Sequence, residues 1–183
     1  MKFIPTAISD VVLVVPEPVG DERGHYARLF CSQEFADHGL EMPVAQSGVS
    51  HNARRGTLRG LHFTPERHGE AKLVRCTAGS VFDVVVDLRP HSPQFGAWVS
   101  QTLTAADHAA FHIPPGCAHG YLTLEDDVDV AYQFSRPYEA GVEQGVRWDD
   151  PDLAIDWPTR PIVISPRDET LPLMRQLQNS EVE

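Results

Sequence analysis

The chain has 183 residues, enough for one domain with a substantial core, and it carries a formal charge of -11 from 15 basic and 26 acidic residues. This balance argues against binding to nucleic acids or anionic membranes, because few cations are available to neutralise phosphates. No apolar run approaches the roughly 18–20 residues needed to span a bilayer, and no basic-then-apolar signal pattern opens the sequence. Cys31, Cys76 and Cys117 form no C-x-x-C pair, so we expect reduced thiols in a cytoplasmic protein.

The N-terminal part of the chain mixes short apolar segments with turns. Residues 9–15 predict a strand that ends at a Pro-Glu-Pro sequence, and residues 25–30 predict an extended segment. Residues 32–40 predict a short helix, with Ser32 as its N-cap and Gly39 at its end. These elements do not by themselves decide the fold class.

From Val44 onward the pattern predicts one strand after another. Apolar segments recur roughly every ten residues between Gly, Pro and Asp turns, which is typical of an all-β sandwich or barrel. The clearest of these segments are residues 72–76, 80–88, 98–103, 109–113, 121–124 and 128–134. A βαβ rhythm and a glycine-rich phosphate loop are both missing, which argues against a nucleotide-binding α/β fold. We expect a single domain over residues 1–183 whose polar tail, about 176–183, is frayed.

A histidine stands within the glycine-flanked apolar stretch 56–63. In a regular strand, alternation places Leu58, Gly60 and His62 on one face and Arg59 on the other. A lone histidine beside a leucine and a glycine is more often a core residue bonded to a backbone carbonyl than a functional group. Further residues are therefore needed before His62 is assigned a function.

Residues 114–120, Pro-Pro-Gly-Cys-Ala-His-Gly, contain a P-x-G-x-x-H pattern that resembles the second cupin motif. In cupins this motif turns one strand into the next and directs a histidine into the barrel, here His119. Metal-binding cupins usually add an H-x-H pair, which is missing after His62. His62, His119 and Glu66 still offer three nitrogen or oxygen ligands, so a metal-dependent cupin oxygenase or isomerase is an alternative.

A more specific resemblance covers nearly the whole chain. Six segments, in order, resemble the dTDP-4-dehydrorhamnose 3,5-epimerase family, the cofactor-free sugar-nucleotide epimerases of the cupin superfamily; they are residues 21–24, 56–62, 72–76, 81–89, 113–120 and 145–151. The resemblance implies an all-β, cupin-type double-stranded β-helix, or jelly-roll barrel, with short peripheral helices. It also implies an enzyme that needs no cofactor or metal and inverts C3, C5 or both of a nucleotide-diphosphate 4-keto-6-deoxy sugar.

Four residues match the catalytic positions of that family: His62, Lys72, Tyr132 and Asp168. A 4-keto sugar is acidic at C3 and C5, so epimerisation needs a base, a cation for the enolate oxygen and an acid on the opposite face. A histidine suits the base because imidazole titrates near neutrality. The resemblance makes Asp168 the carboxylate that orients His62, Lys72 the cation and Tyr132 the acid. Their joint presence argues against a third possibility, an inactive sugar-nucleotide-binding protein.

The resemblance also assigns substrate-binding residues. Arg23 and Arg59 match positions that hold the diphosphate, for which the arginine fork is suited. Tyr26 matches an aromatic residue that stacks on the base, and His119 matches a polar residue of the pocket. Weaker matches to the pocket are Gln46, Asn52 and Tyr138. In the family the Arg23 segment reaches the neighbouring subunit's site, so a homodimer is implied.

Some positions depart from the family pattern. The thymidine enzymes usually have an acidic residue at the position of Arg28, and a carboxylate accepts the imide N–H of thymine whereas an arginine only donates. Our hypothesis is that the base is not thymine and that cytosine, with acceptors at O2 and N3, is a candidate. Gln133 stands where members of the family often have a lysine. Residues 49–55 contain what looks like a one-residue insertion relative to the family pattern.

The assignment of both Arg59 and His62 to one pocket conflicts with regular strand geometry. Residues three apart on a flat strand point to opposite faces. We therefore predict a bulge or twist near Gly60 that brings both side chains to the same pocket.

Overall fold

The computed structural model describes residues 1–180, and strands dominate it. In chain order the strands are β1 (Lys2–Pro5), β2 (Val12–Val15), β3 (Val19–Asp21), β4 (Gly24–Tyr26), β5 (Gln46–Asn52), β6 (Leu58–Phe63), β7 (Lys72–Ala78), β8 (Ser80–Asp87), β9 (Trp98–Thr104), β10 (Ala110–Ile113), β11 (Cys117–Thr123), β12 (Val128–Phe134) and β13 (Gln144–Gly145). The helices are α1 (Ser32–Asp37), α2 (Pro166–Glu169) and α3 (Met174–Ser180), with a 3-10 turn at Glu66–His68. The all-β prediction with short peripheral helices is confirmed.

Two antiparallel sheets form the two walls of a barrel. The six-stranded sheet has the order β1-β2-β10-β7-β12-β5, and the five-stranded sheet has the order β13-β6-β11-β8-β9. Strands β3 and β4 form a separate hairpin. Among the described residues, no helix is long and apolar enough to cross a membrane.

The main core lies between the two sheets because alternate residues of each strand point inward. From the six-stranded sheet come residues such as Val74, Phe111 and Val130, and from the five-stranded sheet come Val85 and Tyr121. These side chains are 0–2% exposed. They fill part of the barrel, and the remaining inward positions on β6, β7, β11 and β12 are left for polar side chains.

The outer faces of the sheets are covered by different parts of the chain. Phe35 of α1 packs with Val14, Leu73 and Ala110 on the six-stranded sheet. The C-terminal region packs on the outside of the five-stranded sheet, where Leu153 and partly buried aromatic and aliphatic residues meet outward residues of β6 and β8. This second contact brings the end of the chain back to strand β6.

The structure differs from the predicted elements near the termini. The predicted strand 9–15 begins only at Val12, after a strand Lys2–Pro5 that the pattern did not reveal. The helix predicted over 32–40 ends at Asp37, and its N-cap is Cys31 rather than Ser32, without a side-chain cap bond. The tail predicted to fray from about residue 176 is helical through Ser180. Residues 181–183 lie outside the described part of the chain.

Candidate active site

A cavity of about 590 Å³ lies between the two sheets. It is lined by polar side chains from strands on both walls of the barrel and by the C-terminal segment around residues 163–168. Six of the site residues expected from the sequence line it: Arg59, His62, Lys72, His119, Tyr132 and Asp168. The cavity therefore contains all four residues expected to be catalytic.

Strand β6 contains the irregularity predicted near Gly60. His62 pairs with His119 of β11, whereas Arg59 pairs with Tyr121, so Gly60 and Leu61 together face one residue of β11. Gly60 has a φ of 122°, and a Cβ on it would lie 2.7 Å from the Cα of Gly120, so only glycine fits this bulge. The extra residue brings Arg59 and His62 to the same cavity, and the prediction of a bulge is confirmed.

His62 is bonded to a carboxylate from a distant part of the chain. Its Nε2 lies 2.8 Å from Oδ1 of Asp168, and the other carboxylate oxygen of Asp168 accepts the N–H of Gly60 at 3.1 Å. Because an ionised carboxylate only accepts hydrogen bonds, the Nε2 of His62 carries the proton. Nδ1 is then the nitrogen with a free lone pair.

Asp168 is held in place by a short local motif. It lies in α2, where its N–H donates to Oγ of the N-cap residue Ser165 at 3.1 Å, and Pro166 occupies the first helical position. Burial acts to raise the pKa of Asp168, but the hydrogen bonds from His62 and Gly60 outweigh it and hold that pKa below its ordinary value. Asp168 therefore stays ionised beside His62.

A second histidine–aspartate pair lies next to the first. Nε2 of His119 lies 3.0 Å and 2.9 Å from the two carboxylate oxygens of Asp83 on β8. His119 is 5% exposed and Asp83 is fully buried. Burial raises the pKa of Asp83, although the neighbouring His119 acts in the opposite direction.

Lys72 reaches the cavity from the six-stranded sheet, on the wall opposite His62. It is 6% exposed. Its Nζ lies 3.6 Å from Oε1 of Glu70, an oxygen that also accepts the hydroxyl of Thr64 at 2.8 Å. The same Nζ lies 6.0 Å from the ring centre of Phe134. The ammonium group of Lys72 therefore lies at the cavity beside a carboxylate and an aromatic ring.

Tyr132 also enters from the six-stranded sheet and is surrounded by rings. Its ring meets His119 edge to face, with centroids 6.0 Å apart, and stacks on Phe134 at 5.7 Å. Burial raises the pKa of Tyr132 well above its ordinary value, and nearby Tyr121 and Asp83 raise it further. The hydroxyl is therefore a proton donor, not an anion, at neutral pH.

Asn52, expected to line the pocket, lies beneath Arg59 instead. Its Oδ1 accepts from Nε of Arg59 at 2.9 Å and from the hydroxyl of Tyr121 at 3.3 Å, and its amide group donates to two backbone carbonyls. Asn52 is 2% exposed and is not among the residues that line the cavity. It orients the guanidinium of Arg59, which is exposed at the cavity.

Three further residues expected to bind substrate lie outside this cavity. Arg23 and Tyr26 are exposed on the β3–β4 hairpin, where Arg23 pairs with Asp21. Arg28 follows the hairpin, and its Nη1 donates to Oε1 of Glu34 at 2.8 Å. The chain does not bring these residues to its own cavity.

Gln46 and Tyr138 line a smaller neighbouring cavity of about 100 Å³. Oε1 of Gln46 accepts the backbone N–H of Tyr138 at 2.9 Å. Phe134 and Glu143 line both cavities, so the two spaces adjoin. Gln46 and Tyr138 are thus beside the main cavity and not within it.

Some residues of the site were not expected from the sequence. Phe134 and Arg167 line the cavity, and Asp83 lies within the barrel beside it. Asp83 had a detectable signal, because a carboxylate in the middle of the apolar strand 80–88 must find a partner when buried. Phe134 had no such signal, since an aromatic residue at the end of a strand is usually a core residue.

The residues proposed as an alternative metal site do not converge. The Nε2 atoms of His62 and His119 each contact an aspartate, and Glu66 lines a different cavity together with Arg89. Within residues 1–180, no group of three or more His, Cys, Asp and Glu side chains is arranged to hold a metal ion. The geometry therefore does not support the metal-dependent alternative.

The fold and the site define a cupin-type β-barrel whose cavity is lined by a histidine–aspartate pair, a lysine and a tyrosine. A family model described as dTDP-4-dehydrorhamnose 3,5-epimerase matches residues 5–176. The chain belongs to this family.

Individual relatives agree with the family model. The chain is 41% identical over 173 residues to a dTDP-4-dehydrorhamnose 3,5-epimerase of Escherichia coli, covering 93% of each. It is 36% identical over 181 residues to a dTDP-4-dehydrorhamnose 3-epimerase of Streptomyces niveus, covering 98% of this chain and 87% of the relative. A crystal structure of a 4-keto-6-deoxy sugar epimerase from the novobiocin gene cluster of Streptomyces spheroides aligns with a TM-score of 0.94 at 36% identity, covering 100% of this chain and 92% of that one.

Proposed function

We propose that the protein is an epimerase that inverts C3, C5 or both of a nucleotide-diphosphate 4-keto-6-deoxy sugar. The observation that carries the proposal is the placement of His62 and Tyr132 on opposite walls of one cavity. His62 enters from the five-stranded sheet, whereas Tyr132 and Lys72 enter from the six-stranded sheet. A sugar ring between the sheets would present one face to His62 and the other to Tyr132, which is what inversion at carbon requires.

The first step is removal of a proton by His62. Nδ1 takes the proton from C3 or C5, and the electrons of the broken C–H bond move onto the keto oxygen as the enolate forms. Asp168 stabilises the resulting imidazolium through its hydrogen bond to Nε2. Lys72 faces the cavity as a cation and stabilises the enolate oxygen; loss of one such donor typically costs about 2.7–4 kcal/mol of barrier.

The second step is proton delivery to the opposite face. The Tyr132 hydroxyl gives its proton to the same carbon, the carbonyl re-forms, and the configuration is inverted. The raised pKa of Tyr132 means that its hydroxyl is protonated before the step, so a proton is available for delivery. The base, the acid and the charge are all supplied by side chains, so we propose that the reaction needs no cofactor.

We further propose that the active form is a homodimer in which the β3–β4 hairpin completes the neighbouring subunit's site. The hairpin presents Val19, Arg23 and Tyr26 to solvent, away from the cavity of its own chain. Arg59 would hold the diphosphate from within, and the neighbour's Arg23 and Tyr26 would bind the diphosphate and the base. An arginine fork and an aromatic ring suit those two groups.

A complementation experiment tests this arrangement. Arg23→Ala and His62→Asn are each expected to be weakly active alone, because each lacks one part of every site. Mixing them after subunit exchange would restore about a quarter of the wild-type sites if Arg23 acts across a two-fold interface. No gain in activity on mixing, despite exchange shown by mass-tagged subunits, would exclude a shared site.

The nucleotide base is a separate question. The relatives from Escherichia coli and Streptomyces niveus are named for a dTDP sugar, whereas Arg28 led us to expect a base other than thymine, with cytosine as a candidate. Arg28 is paired with Glu34 through Nη1, and Glu34 also binds the N-terminal ammonium group. This pair engages one part of the guanidinium, whose side chain is 56% exposed. Affinities for dTDP, CDP, UDP and GDP measured by calorimetry decide the matter, and a clear preference for dTDP would remove the cytosine hypothesis.

A deuterium exchange experiment tests the function itself. The protein is incubated in heavy water with 4-keto-6-deoxy sugars linked to each of the four nucleotides, and the products are followed by NMR and mass spectrometry. We expect deuterium at C3, C5 or both together with inversion, and none with His62→Asn. Absence of exchange with every substrate would contradict the proposal.

A cytoplasmic location is proposed from the nucleotide-sugar substrate and the free state of all three cysteines.

A further inference from the structure

We propose that Phe134 is a positioning residue that fixes the proton-donating Tyr132 in the orientation needed for inversion; this inference rests on the function proposed above. Phe134 has no group that could take part in acid–base chemistry. Its place in the cavity nevertheless connects two of the four groups on which the reaction depends.

Phe134 and Tyr132 lie on the same face of β12, two residues apart. Their rings are stacked, with centroids 5.7 Å apart and an interplanar angle of 6°. The ring of Tyr132 also meets His119, at an interplanar angle of 80°. Tyr132 thus contacts two rings, and His119 is itself fixed by its two contacts with Asp83. Removal of Phe134 would free one side of the tyrosine.

Phe134 is itself fixed by its neighbour across the sheet. It pairs in register with Lys72 of β7, and Nζ of Lys72 lies 6.0 Å from the centre of the Phe134 ring. A cation near an aromatic ring is attracted to the ring electrons. The ring that stacks on Tyr132 is therefore held by backbone pairing and by a side-chain contact, and its orientation is not free.

The two half-reactions give this proposal a specific consequence. Proton removal by His62 produces deuterium exchange, whereas inversion also requires Tyr132 to deliver a proton to the other face. When Tyr132 is misplaced, the enolate is reprotonated more often from the side of His62. The sugar then exchanges its hydrogen for deuterium and keeps its configuration. The ratio of exchange to inversion therefore reports on the position of Tyr132.

The test compares Phe134→Leu with Phe134→Tyr and with Phe82→Leu. For Phe134→Leu we expect inversion to fall roughly ten- to a hundredfold, as for other misplaced reacting groups, with a smaller fall in exchange and a rise in the ratio. Phe134→Tyr keeps a stacking ring and is expected to restore the wild-type ratio. Phe82 makes a comparable aromatic contact with Trp157, with centroids 5.8 Å apart, outside the cavity. Its leucine variant controls for loss of an aromatic pair elsewhere.

The ratio is measured on one sample, so it does not depend on how much of a variant folds. An unchanged ratio in Phe134→Leu, with inversion present in the wild-type protein, would overturn this inference and leave the proposed function intact. A raised ratio in Phe82→Leu would also overturn it, because the effect would then follow from general loosening. Absence of exchange and inversion in the wild-type protein would overturn the proposed function and this inference with it.

Discussion

Two histidine–aspartate pairs lie side by side in this barrel, and they differ in their access to the cavity. His62 and His119 are direct partners in the pairing of β6 with β11. The side chain of His62 is 23% exposed beside Asp168, whereas that of His119 is 5% exposed beside an Asp83 with no exposed surface. The same two residue types therefore occupy neighbouring places in very different surroundings.

The carboxylates respond to those surroundings in opposite directions. Hydrogen bonds outweigh burial at Asp168 and its pKa is lowered, whereas burial dominates at Asp83 and its pKa is raised. An open pair beside an ionised carboxylate suits proton transfer with a ligand. The almost fully buried His119–Asp83 pair suits a structural role beside Tyr132. Both histidines line the cavity, so residue type and position do not distinguish them; we propose His62 as the base because its side chain is the more exposed of the two.

The largest expected effect is a loss of activity when His62, which we propose as the base in preference to His119, is replaced. His62→Asn is expected to lower kcat roughly 10³-fold, within the range for loss of a general base, with little change in the free energy of unfolding because His62 is partly exposed. Single-turnover epimerisation and urea denaturation measure the two quantities. Turnover near the wild-type value would show that another group is the base.

The next largest effect is a loss of stability when His119, the more buried histidine, is replaced. His119→Leu leaves Asp83 buried without its partner, and breaking a buried pair costs about 3–5 kcal/mol of unfolding free energy. Replacing both, as His119→Leu with Asp83→Leu, removes the unpaired carboxylate and is expected to recover most of that loss. Urea denaturation of the single and double variants provides the measurement. Equal stability of both variants would argue against this account of the pair.

A smaller effect on activity is expected from the partner of His62. In Asp168→Asn the amide oxygen can still accept the Gly60 N–H, so the fold is expected to remain. The Asn amide group no longer favours the proton on Nε2 of His62, so the wrong tautomer forms. Because His62 itself is retained, kcat is expected to fall about a hundredfold, at the lower end of the range for impaired acid–base catalysis. Glu169→Gln, on the exposed side of the same helix, is the matched control and is expected to keep full activity.

The smallest effect is the pH dependence of stability, which has opposite signs for the two carboxylates. The pKa of Asp168 is lowered from 3.8, so its contribution is present above that pH and is lost as pH falls through the folded-state value. The pKa of Asp83 is raised from 3.8, so its ionised form destabilises the fold. Its contribution becomes more favourable as pH falls from the raised value toward 3.8.

Urea denaturation of the wild type, Asp168→Asn and Asp83→Asn from about pH 3 to about pH 8 tests these signs. Relative to Asp168→Asn, the stability of the wild type should decrease in acid. Relative to Asp83→Asn, it should increase. If both stability differences changed with pH in the same direction, Asp168 and Asp83 would not have pKa values shifted in opposite directions.

Local patterns in the sequence determined most of the fold class. The short apolar segments between turns predicted most strands from Lys72 to Phe134 with small errors at their ends, because alternation depends only on neighbouring residues. The exception is Cys117–Thr123, predicted only from residue 121 because its first half carries the P-x-G-x-x-H turn motif. The bulge at Gly60 was predicted from strand alternation once the family resemblance had assigned Arg59 and His62 to one pocket. The N-terminal strand Lys2–Pro5 was missed, as it is short and mostly exposed.

Family resemblance supplied the four candidate catalytic residues, but only the tertiary structure brought them together. His62 and Asp168 are 106 positions apart, and they meet because the C-terminal segment returns to β6, where Thr57 forms a bridge with Val163. The positions of Asn52 beneath Arg59 and of Gln46 in a neighbouring cavity also depend on the barrel. Sheet register and chain return are long-range properties, whereas sequence patterns report local preference. The sequence therefore determined which residues could act, and the packed barrel decided which of them share a site.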